Sequence, residues 1–230
     1  MSPLAETLML LVIAVGLHST RLSWPLRWAE TFYHEMSHGI ACILTGGKVI
    51  SLRLDWRGSG ACTFRGGWRF PILLAGYMGA SLWGAVLFLI GLYLNDESIR
   101  WWLWLELALL GLTLLFWARS ISTLMILILI GSVYLAALWL PPQYGLHYVL
   151  QVMGLFVMLN ALGAPFHLID GQHVGDGADL ANLTRIIPEG LWVAWWVLFA
   201  AVVLGWCLWL KAFGTPLFAV GAGLLGRVLG

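Results

Sequence analysis

His34-Glu35-Met36-Ser37-His38 sits inside a run otherwise apolar enough for a bilayer. If residues 28–45 are helical, the two histidines fall one turn apart on one face. Both imidazoles can then hold a single Zn²⁺, and Glu35 lies close enough to act on a water there. Ala29, Glu30, Met36, Ala41 and Leu44 favour that helix, and Gly46-Gly47 stops it. Two histidines and a glutamate are costly to bury at membrane depth, where polar residues usually serve a site or a pathway. The pattern therefore points to hydrolysis within a membrane, against a rival in which both histidines are hydrogen-bonded packing residues.

The rest of the chain supplies the membrane context. Of its 230 residues 61% are hydrophobic and only 10% charged, with 15 tryptophans, and the mean hydropathy is +0.89. A soluble globule has too few polar residues here to cover its surface, so an integral membrane protein is expected, with the lipid bilayer as its surroundings. Glu6 precedes the first apolar run and no basic segment leads it, so the first helix is expected to be retained. Cys42, Cys62 and Cys207 show no CxxC pairing and read as small apolar fillers. A net charge of +1 without a basic tail or a phosphate-binding loop excludes nucleic acid as a partner.

Runs of about 20 apolar residues bounded by charge, proline or glycine give seven spans: 4–18, 28–45, 72–94, 101–118, 121–140, 146–164 and 191–213. The fold class expected is an all-α polytopic membrane protein of about seven transmembrane helices, a single domain over 1–213 with a tail at 214–230. With seven spans, Lys48, Arg53, Arg57, Arg65, Arg69, Arg119 and Arg185 share one side, against Arg21, Arg27, Arg100, Lys211 and Arg227. The richer side is expected in the cytoplasm. Trp101, Trp102 and Trp104, like Trp192, Trp195 and Trp196, fit interfacial belts.

One β-hairpin is expected at 48–65, after the HExxH helix. Ile50, Leu52, Leu54 and Trp56 alternate with Ser51, Arg53 and Asp55 before the turn Arg57-Gly58-Ser59-Gly60, and Cys62 and Phe64 continue the apolar face. Alone it is marginal, so it should lean on helices, where it serves as a structural loop or offers an edge to an extended peptide. Gly76, Ala80 and Gly84 recur at helical spacing, a groove for the close approach of another helix.

A hydrolytic zinc takes three protein ligands, so the later half of the chain must supply one more. Residues 160–173, at the end of the sixth span, reach the membrane side that the HExxH helix approaches. His38 stands seven residues before Thr45, about 10 Å along a helix axis, so the two segments can meet below one membrane face.

With these residues the chain resembles the site-2 proteases, zinc intramembrane metalloproteases that join HExxH on one helix to an Asn/Pro-rich segment ending in Leu-Asp-Gly on a later one. Pro165, Ile169, Asp170 and Gly171 resemble that second element, with Asn160 upstream. The spacing from Asn160 is longer than usual, a second proline is missing, and Ile169 replaces the leucine. The chain is also similar to a compact branch of the same clan, with Gly-Gly and a hairpin after HExxH, then Gly76-Tyr77-Met78-Gly79. An acidic segment follows in that branch, here Gly175-Asp176-Gly177-Ala178-Asp179, before a Trp-rich last helix.

The resemblance implies a zinc site of His34, His38 and Asp170, with Glu35 as the catalytic base. Asp170 is preferred because it ends a membrane helix, and Asp176 is the branch alternative. His173 is a weaker contender, Asp179 a possible cap for a helix near Leu180, and His167 an interfacial or hydrogen-bonded histidine. Glu30, one turn before His34, either orients that ring or is a solvated helix-start charge. The activity implied is cleavage of a peptide bond in or near a transmembrane segment of a protein substrate, in a bacterial inner membrane. Its rivals are a catalytically inactive scaffold of the same fold and a proton or metal transporter, the latter expected to show repeated broken helices that are not seen here.

Overall fold

The computed structural model of the chain describes residues 2–141, 145–169 and 174–214. Its elements run α1 (Pro3–His18), α2 (Trp24–Leu44), β1 (Lys48–Leu54), β2 (Gly60–Arg65), α3 (Arg69–Tyr93), α4 (Asp96–Phe116), α5 (Ile121–Leu138), α6 (Leu146–Gly163), α7 (Asp176–Thr184) and α8 (Glu189–Phe213). Local chemistry sets several ends. Pro25 opens α2 in the first helical turn, and the side chains of Asn95 and Ser120 accept the Ser98 and Thr123 main-chain N–H groups that start α4 and α5.

Five helices are long and apolar enough to cross a bilayer: α3, α4, α5, α6 with its 3-10 extension to Leu168, and α8. Two of the seven expected spans fall outside this set. The 16 residues of α1 reach about 24 Å, short of a hydrocarbon core of about 30 Å. The length of α2 suffices at 21 residues, but Arg27, Glu30, His34, Glu35 and His38 interrupt its apolar character. Its polar face is instead covered by protein, for Glu30, Thr31, Glu35, Ser37 and His38 are all buried. Outward-facing Val12, Trp101, Leu115, Ile121, Leu198 and Trp209 are exposed, which suits lipid contact and would be untenable in water. The chain is an integral membrane protein.

Helices α3 and α6 cross with almost no side chain between them. A Cβ on Gly154 would stand 2.5 Å from both the Gly84 carbonyl oxygen and the Phe88 nitrogen. The buried Gln151 amide donates to the Gly91 carbonyl at 2.8 Å, one polar bond in an apolar seam. Helices α4 and α5 are tied to α2 by a buried cluster. The Tyr33 hydroxyl donates to Glu106 at 3.1 Å and lies 2.5 Å from the Tyr134 hydroxyl.

The hairpin forms where expected, with β1 and β2 antiparallel. Its inward face differs from the alternation read in the sequence. Val49, Leu52 and Leu54 point in and Ile50 is exposed, because a bulge between Val49 and Ser51 shifts the phase by one residue. The outer edge of β1 is covered by the α4–α5 junction. The Leu52 N–H donates to the Trp117 carbonyl at 3.0 Å, the Leu54 N–H to the Thr123 hydroxyl at 2.8 Å, and the Ser122 hydroxyl to the Leu54 carbonyl at 2.8 Å. Among the described residues β2 pairs with β1 alone.

Replacing Gly154 by Val puts branched carbons against backbone that cannot withdraw. The variant should lose about 3 kcal/mol or more of stability, read as a lowered thermal unfolding midpoint in detergent.

Candidate metal centre

On α2, His34 and His38 project on one face, one turn apart, toward the N-terminal half of α3. The Nδ1–H of His38 donates to the Ile72 carbonyl at 2.6 Å, which leaves its Nε2 free as a ligand atom. That Nε2 lies 3.0 Å from Nε2 of His34. Asp176 arrives from the first turn of α7, its Oδ2 3.1 Å from each of these nitrogens. The three side chains form the metal-capable group of the described residues. Burial alone would raise the Asp176 carboxyl, but the imidazoles of His38 and His34 override it and hold the group well below the usual carboxylate range.

Two nitrogens and one oxygen are a hydrolytic zinc donor set. Tetrahedral Zn²⁺ with bonds of about 2.0–2.1 Å spreads its ligand atoms about 3.3 Å apart, and the separations of 3.0–3.1 Å here come within a few tenths of that. The residues fit the ion.

The space for this cluster is made by an absent side chain. A Cβ on Gly76 would stand 2.5 Å from the His38 Nε2 and 2.6 Å from the His34 ring. Next along α3, Tyr77 meets the His34 ring edge to face at 4.4 Å and is backed by Trp196 of α8 at 4.7 Å. The Trp196 indole N–H is fixed in turn on the Leu74 carbonyl at 3.2 Å.

Glu35 is 6% exposed and turns toward the hairpin. A Cβ on Gly60 would lie 2.6 Å from its Cγ and Oε1, and the Cys62 main-chain N–H faces its carboxylate. Burial, with Glu35 beside it, pushes the Cys62 thiol up to about 12, so this cysteine stays protonated. Cys42, Cys62 and Cys207 are free thiols, as their spacing suggested.

His34, Glu35, His38, Cys62, Tyr77 and Asp176 line a cleft of about 670 Å³ walled by α2, β2, α3 and α7. Asp179 lies inside α7 instead of capping it, and its carboxylate accepts from Arg69 at 2.6 Å on the rim. His167 also lines the cleft. No hydrogen bond joins Glu30 to His34, although Glu30 borders the same cleft. Asp170 and His173 lie outside the described residues.

A model of the Peptidase M50B-like family matches residues 7–207. The chain belongs to that family. The match runs from α1 into α8, and it agrees with the site-2 protease resemblance carried by HExxH and the acidic segment. No curated protein and no solved structure matches the chain. Membership of a peptidase family points to a metallopeptidase, and the cleft offers a site for its metal.

Sequence reasoning missed the roles of Gly60 and the Ile72 carbonyl, and it gave Gly76 as a packing position and as part of the Gly-Tyr-x-Gly motif, without a role at the histidines. The Gly-Tyr-x-Gly motif beside an HExxH motif was the available signal for Gly76 and Tyr77, but the pairing of α3 with α2 is tertiary. Gly76→Ala should displace both imidazoles and lower zinc content about tenfold or more, with helical circular dichroism retained. Elemental analysis of the purified variant checks this.

Proposed function

We propose that the chain is an intramembrane zinc metalloprotease that hydrolyses a peptide bond in or near a transmembrane segment of another membrane protein. The observation that carries this reading is the convergence of His34, His38 and Asp176 at mutual distances of 3.0–3.1 Å, with Glu35 in the same cleft. His34 and His38 hold the zinc, and Asp176 takes the place first given to Asp170 as third ligand. The bound ion supplies Lewis acidity, polarising the scissile carbonyl and making a water acidic near neutral pH.

The chain's own residues do the rest. Glu35 accepts the proton of the attacking water and delivers it to the leaving amine, while the C–O bond forms and the C–N bond breaks. Its burial against Gly60 keeps the carboxylate in place. His38 is held in its ligand tautomer by the Ile72 carbonyl. A helical substrate must unwind first, because its own hydrogen bonds and side chains shield the scissile bond. The cleft-side edge of β2, which pairs with no other strand among the described residues, suits such a segment beyond Cys62, whose N–H faces Glu35. The family resemblance suggests a multi-pass protein of a bacterial inner membrane.

Purified wild-type protein should contain about one zinc per chain by elemental analysis. His38→Ala and Asp176→Ala should lose it and Asp170→Ala should keep it; loss with Asp170 alone returns the third ligand to that residue. Glu35→Gln should retain zinc yet cut a membrane-segment substrate about 10²–10⁴ times more slowly. Equal cleavage by the two proteins would sink the proposed role of Glu35, and zinc-loaded wild type without cleavage would favour a scaffold.

A further inference from the structure

Glu30 is the carboxylate along the cleft that this reaction leaves unused. It lines the cleft at only 8% exposure and makes no hydrogen bond or ion pair with any described residue. Arg69, which lines the same cleft, is engaged by Asp179 at 2.6 Å. A carboxylate so covered is costly without a partner. With zinc bound, the ion offsets Glu35 and Asp176, and Arg69 offsets Asp179, which leaves Glu30 as the carboxylate without a compensating charge among the described residues.

The hairpin gives this position a register. The Thr31 hydroxyl donates to the Gly58 carbonyl at 3.0 Å, Gly60 packs on Glu35, and a Cβ on Gly39 would lie 3.8 Å from the Cys62 sulfur. Thus the stretch from Gly58 in the turn to Cys62 in β2 runs alongside α2 in the same direction, two residues for each helical turn. The match is metric, since four helical residues rise about 6.0 Å and two extended residues about 6.6 Å. An extended chain that follows α2 along the cleft keeps that step. Glu30 lies one turn before His34, which corresponds to two substrate residues away from the bond held at the metal.

We propose that Glu30 forms a subsite for a cationic side chain, lysine or arginine, two residues to one side of the scissile bond. The inference rests on the protease reading and extends it to substrate choice. A carboxylate recognises ammonium or guanidinium by charge-assisted hydrogen bonds, and both side chains are long enough to lay their methylenes along the cleft wall.

The test uses the full-length, zinc-loaded protein in detergent with a proteome-derived peptide library, cleaved bonds being read by mass spectrometry. Wild type should enrich lysine and arginine at one position two residues from the cleaved bond. In Glu30→Gln the ratio of basic to neutral residues there should fall about tenfold, as for one hydrogen bond to a charged group, and Glu30→Lys should favour acidic residues instead. Zinc content should be retained in both variants. An unchanged ratio in Glu30→Gln overturns the subsite, as does a loss of zinc, which would make Glu30 a support for His34. Cleavage by wild type without any basic preference overturns the subsite alone, whereas no cleavage at all overturns the protease reading and the subsite together.

Discussion

Everything in this structure answers to one constraint, which is that α2 carries two histidines and two glutamates through a molecule whose outside is apolar. Such a helix cannot face lipid, so its polar side must be walled by protein that also leaves room for the imidazoles. The glycines of α3 meet both demands. Gly76 opens the space occupied by the His34 and His38 rings, and three residues on Gly79 lets Ser37 come close. Farther along the same helix Gly84 and Gly91 do the corresponding service for α6. A single small-residue stripe is thus divided between two partners, which makes α3 the central post of the fold.

The hairpin is held asymmetrically, and that asymmetry shapes the cleft. Strand β1 spends its edge on the α4–α5 junction through Trp117, Ser122 and Thr123. Strand β2 keeps its outer edge on the cleft and sets Gly60 against Glu35. Opposite it, α7 brings Asp176 inward while Asp179 anchors the same turn to Arg69 at the rim. The base therefore comes from α2, set against β2, and the acidic metal-ligand candidate from α7.

Much of this was legible beforehand. The HExxH helix, the hairpin at 48–65 and the five long apolar helices have local signatures, in hydrophobic runs, Gly-rich turns and caps. Of the seven expected spans, five have the length and hydropathy of a membrane-crossing helix; α1 is short, and α2 carries polar residues sheathed by neighbours that lie far away in sequence, a cover that hydropathy does not score. The hairpin phase was misread for a related reason. A bulge at Val49–Ser51 leaves no composition signal, yet it exchanges Ile50 for Val49 on the inner face.

Sequence by itself determined the chemistry available to this protein: an i, i+4 histidine pair with an adjacent glutamate in a membrane chain, and acidic residues at a later helix end. Spacing within one helix is enforced by 3.6 residues per turn, so His34 and His38 had to share a face. Only the tertiary structure decided which groups meet them. The approach of Asp176 to both imidazoles, the gap at Gly76 and the turn of Glu35 toward Gly60 each depend on contacts between segments 25 to 142 residues apart, for which a linear spacing holds no distance information.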